Sequence, residues 1–94
     1  MALARVVTFD GVSAERMAEL TKQMESEEPP AEIPAKEILM LHDPEAQKSV
    51  VVLFFDNDAD YRQGDATLSA MPTGDTPGQR TSVGKYDVAF RMSR

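Results

Sequence analysis

The sequence holds one histidine, His42, and no cysteine, and these two counts narrow its chemistry before any element is placed. A neutral imidazole near pH 7 serves as general acid or base, or as a metal ligand. A lone histidine with no thiol beside it lacks the donor set of a zinc site, so general acid–base work is the mechanism left to His42. Its competing role, at the end of an apolar stretch entering a turn, is an exposed or backbone-bonded side chain. Tyr61 and Arg62 stand side by side and offer a hydroxyl and a cation to a polar ligand, although packing with a wet hydroxyl is the plainer role for Tyr61. The candidate catalytic residues are therefore His42, Tyr61 and Arg62. Asp56, Asp58 and Asp60 share the alternate spacing of a calcium loop but lack its glycine and distal glutamate, and so read as helix-capping groups. The residues point to no metal and no cofactor.

Ninety-four residues, 41% hydrophobic and 28% charged, make a single domain over residues 1–94. A chain of this size buries only about 60–65% of its unfolded surface, so a partner helps it. It has no apolar run of about 18 residues or more, and MALARVVTFD lacks the three regions of a signal peptide. The expectation is a soluble cytoplasmic chain, in keeping with the absence of cysteine. A net charge of −6 with no offsetting cluster of Lys and Arg excludes nucleic acid as a partner, and nothing marks a membrane segment. The acidic run of Glu25, Glu27, Glu28 and Glu32 is that of a solvated helix end.

These side chains need elements to hold them. A first strand is expected at residues 4–9, with Val6 and Thr8 on one face and Arg5, Val7 and Phe9 on the other. Asp10-Gly11 ends it, and Ser13 is placed to cap a helix at about 14–25, where Met17, Leu20, Thr21 and Met24 form one stripe. The prolines of residues 29–34 enforce an extended connector. A hairpin follows, with strands at 37–41 and 49–55 around a polar turn that Asp43-Pro44 suits. A second helix is expected at about 59–70, with Gly64 leaving room for a kink. Residues 71–80 read as a polar, mobile loop. The last strand, at about 82–92, alternates Tyr86, Val88, Phe90 and Met92 with Lys85, Asp87, Ala89 and Arg91, as an edge strand does.

Strand, helix, strand, strand, helix, strand is the split βαβ pattern. It predicts an α+β, ferredoxin-like βαββαβ fold whose four-stranded antiparallel sheet carries both helices on one face. The hairpin strands, Ile38-Leu39-Met40-Leu41 and Val50-Val51-Val52-Leu53-Phe54-Phe55, are apolar on both faces rather than alternating. Helices cover one face, and a second copy is the simplest cover for the other. A homodimer joined sheet to sheet is expected.

The run EILMLHDPEAQKSVVVLFFDNDADY, with the closing SVGKYDVAFRM, resembles the dimeric α+β barrel superfamily that includes antibiotic biosynthesis monooxygenase domains. The resemblance implies the same homodimer and a small-molecule pocket between helices and sheet, with Phe55 on the pocket side; Tyr61, from its place on the second helix, is the other residue expected to line such a pocket. It transfers no catalytic set: Phe55 stands where many oxygenase-like members carry tryptophan, and their first-strand asparagine has only Thr8 as a neighbour here. Three readings follow. The chain binds a small apolar or aromatic metabolite between helices and sheet; or it is a cofactor-independent monooxygenase or isomerase of that fold; or it is a structural or regulatory dimerisation module without a ligand.

Overall fold

Asp43 organises the hairpin turn, its Oδ1 accepting hydrogen bonds from the amides of Glu45 (3.1 Å) and Ala46 (3.2 Å). Gln47 completes the reversal at φ 56°, a left-handed conformation that short turns demand. The computed structural model describes residues 2–26, 33–70 and 78–92. Its elements are β1 (Leu3–Asp10), α1 (Ala14–Ser26), β2 (Glu37–Asp43), β3 (Lys48–Phe55), α2 (Asp58–Ser69) and β4 (Gln79–Asp87). The sheet is antiparallel in the order β2-β3-β1-β4, and the fold is ferredoxin-like, as the order of elements predicts.

Register assigns each side chain to a face. Ile38, Leu53, Arg5 and Lys85 form one row across the sheet, and Met40, Val51, Val7 and Val83 another. Both rows face the helices. One core cluster gathers Leu3, Leu53, Phe55 and Tyr61; a second gathers Val7, Phe9 and Val12, with Met17 of α1 against it. The opposite face carries Leu39, Val52, Val6 and Gly84 in one row and Leu41, Val50, Thr8 and Ser82 in the next. Leu39 and Leu41 are 41% and 54% exposed. That face is the open side of the doubly apolar hairpin.

Local chemistry accounts for the helices. The Ser13 hydroxyl accepts from the amide of Arg16 and opens α1, while Asn57 accepts from the amide of Asp60 at 2.8 Å and opens α2, each capping a free first-turn donor. Gly64 does not kink α2, which is continuous. A Cβ at Gly64 would lie 2.7 Å from Phe55 Cε1, so the glycine lets the helix approach the sheet. α1 is seated differently: none of its residues is buried, and Met24 is exposed.

The last strand differs from its sequence reading, running from Gln79 to Asp87 rather than over residues 82–92. Its single neighbour β1 begins at Leu3, which pairs with Asp87, so the chain beyond has no ladder to join. Instead the Val88 amide donates to the Ala2 carbonyl, and the Arg91 guanidinium lies 4.4 Å from the Phe54 ring centroid and pairs with Glu37. Arg91 thus lies over Phe54 at one end of the open sheet face, while Phe90 and Met92 stay exposed. Most of the expected mobile loop (residues 71–77) and most of the proline connector (residues 29–32) lie outside the described residues.

Candidate functional site

The structure sets the candidate residues at opposite ends of the helix face. His42 pairs in register with Ser49, near the turn, while Phe55 ends the same strand β3 six residues on, roughly 20 Å away at the rise of an extended chain. His42 Nε2 lies 3.0 Å from the Val12 carbonyl oxygen. A carbonyl only accepts, so Nε2 carries the proton and ties β2 to the start of α1.

Beside His42, the shallow seating of α1 leaves a groove of about 570 Å³, lined mainly by Ala14, Met17, Ala18 and Thr21 with Glu19, Lys22 and Glu25. Only the Met17 end of the helical stripe reaches the core, and the turns beyond it stand away from the sheet. The groove is open and mostly apolar, with one imidazole on its strand side.

At the other end, the Tyr61 ring meets Phe55 edge to face, centroids 5.4 Å apart, a favoured aromatic geometry. Phe55 is 1% exposed and packs with Tyr61 of α2 in the core. Burial pushes the Tyr61 hydroxyl's pKa above the ordinary tyrosine value and Asp65 adds to this, against the opposing charges of Arg5 and Lys85. Tyr61 is accordingly a neutral hydrogen-bonding group at neutral pH. Arg62 points to solvent, its Nε 2.7 Å from Asp58 one turn back.

Asp58 gathers a second cation. Lys85 Nζ lies 2.6 Å from its Oδ1 and 4.9 Å from the Tyr61 ring centroid. The Lys85 hydrogen bond, foremost, and the charges of Arg62 and Lys85 hold the Asp58 carboxyl below the usual aspartate value. A carboxyl whose pKa is lowered by folding stabilises the fold above its unfolded pKa, and that contribution is lost as pH falls through the lowered value. Lys85→Met is therefore expected to melt below the parent at about pH 7 and to converge with it near about pH 2. Thermal unfolding followed by circular dichroism checks this, and a constant difference at both pH values would refute the linkage.

Between the two ends lies a group that no motif singled out. Arg5 is 3% exposed, and its Nε donates to Asp65 Oδ1 at 2.8 Å. Its Nη2 is buried with no hydrogen-bond partner among the described residues. An orphaned buried donor costs about 1–3 kcal/mol, and more on a charged group. The signal was legible in β1, where a guanidinium shares the face of Val7 and Phe9.

Among the described residues no group of three or more acidic or histidine side chains could hold a metal, and no helix is long and apolar enough to cross a membrane. No protein-family model and no curated protein matches the chain.

Proposed function

We propose that the chain is a small-molecule binding protein of the dimeric α+β barrel kind, a soluble cytoplasmic homodimer that holds an apolar or aromatic metabolite between α1 and the sheet. The observation that carries the reading is the seating of α1: a helix with an apolar stripe buries no residue and leaves a groove of about 570 Å³ against His42. A helix layer serving dimerisation alone would close down on its sheet. Binding is favoured over turnover because His42 commits one ring nitrogen to the Val12 carbonyl and has no second titrating group of the candidate set beside it. The dimer is supported by the open face, where Val6, Val50, Val52, Leu39 and Leu41 present an apolar surface that monomers seldom leave bare.

The test uses N-phenyl-1-naphthylamine, a neutral aromatic fluorophore. Saturable binding at one probe per chain is expected, and Ala18→Phe, which fills the groove from the exposed side of α1, is expected to weaken it about tenfold, or about 1.4 kcal/mol. Equal affinity in parent and variant, or no saturable binding to the parent, sinks the reading.

A further inference from the structure

We propose that Arg5 anchors a second subsite, on the α2 side of the helix face, for the carboxylate of a small acid with an apolar body. This goes beyond the α1 groove and rests on different residues. Nε and Nη2 form one edge of a guanidinium, spaced to take both oxygens of a carboxylate at once. Asp65 uses half of that edge: its Oδ1 accepts from Nε at 2.8 Å, and Nη2 is left buried without an acceptor. The Asp65 side chain is 42% exposed, so water can receive it when another carboxylate takes its place and satisfies both donors.

The surroundings fit such a ligand. Lys85 stands next to Arg5 in the same cross-strand row, and like charges placed opposite one another are unfavourable unless anions lie between them. Arg5 pairs with Asp65, while Lys85 and Arg62 share Asp58. Leu53 stands beside Arg5 in register, and it packs with Leu3, Phe55 and Tyr61 in one apolar cluster. A planar monoanion matches the flat donor edge, and the acidic chain repels a phosphate dianion more strongly.

The experiment titrates the isotope-labelled full chain with benzoate while the Arg5 Nε–H resonance is followed. Benzamide serves as the neutral isostere and inorganic phosphate as the competing oxyanion. Benzoate is expected to shift the Arg5 resonance saturably, and benzamide and phosphate are expected to leave it in place. Asp65→Asn keeps an acceptor for Nε but removes the competing charge, and is expected to tighten benzoate several-fold. Lys85→Gln, at an exposed position, is expected to weaken it several-fold, and Ala18→Phe to change nothing. An equal response to benzamide, saturation by phosphate alone, no saturable benzoate shift in the parent, or weaker binding in Asp65→Asn overturns the proposal. Because the groove probe reads α1 and this resonance reads β1, either site can fail without the other.

Discussion

Val52→Lys is expected to abolish the proposed dimer with the fold intact, whereas Val51→Lys, one residue away, is expected to cost about 3 kcal/mol of folding stability. Val51 stands in register with Val7 and Met40 and packs against both core clusters. A lysine there must drive an ammonium into the layer between sheet and helices. Val52 stands between Leu39 and Val6 on the open face, where a single chain lets the ammonium reach water but a second sheet would bury it unpaired. Sedimentation at micromolar concentration and denaturant unfolding separate the two effects. A parent that sediments only as a monomer, or variants that impair assembly equally, would remove the basis for a two-faced sheet.

The second large effect lies where α2 meets the sheet. Phe55→Ala is expected to destabilise the fold by about 3–5 kcal/mol, since it empties the space of a ring that is among the largest fully buried groups. Gly64→Ala is expected to destabilise as well, by about 1–3 kcal/mol from overpacking, although alanine is the better helix former by about 1 kcal/mol. The added methyl would meet Phe55 Cε1 and Cζ at 2.7 and 2.8 Å, and the ring, held edge-on by Tyr61, has little freedom to yield. With Phe55→Leu as background the clash is relieved, and Gly64→Ala is expected to become neutral or stabilising. A double-mutant cycle by chemical denaturation reads this coupling; the same penalty in both backgrounds would mean that close approach is not what the glycine provides.

The hairpin was legible because its cues are local: a turn begun by Asp43-Pro44, and apolar runs bounded by charge. The helix start at Ser13 was legible for the same reason, while the cap of the second helix is Asn57 rather than the aspartates around it. Gly64 was not, because its cause is the Phe55 ring, nine positions earlier in sequence and on another element. The end of β4 was misplaced since the alternation from Tyr86 to Met92 continues past the point where β1 runs out, and a pattern within one strand carries no information about the length of its neighbour. Arg5 was assigned to its proper face without its consequence being drawn, for a charge on an apolar face shows its importance only once α2 brings Asp65 to it and leaves Nη2 without a partner. The groove beside His42 depends on how far α1 stands off the sheet, which the spacing of Met17, Leu20 and Met24 does not encode.

The strand order has a kinetic side. β2 and β3 are joined by one short turn, but β1, which sits inside the sheet, pairs with β3 and β4, and Leu3 finds its partners at Phe55 and Asp87. Closing such long loops carries an entropic cost before the contacts return anything, and domains rich in distant pairings fold slowly for that reason. The hairpin is thus the natural place for folding to begin. Until β1 docks, the β3 edge of the hairpin is unpaired as well as the β2 edge that stays outermost in the finished sheet, the condition in which a nascent chain is most exposed to pairing with the wrong neighbour.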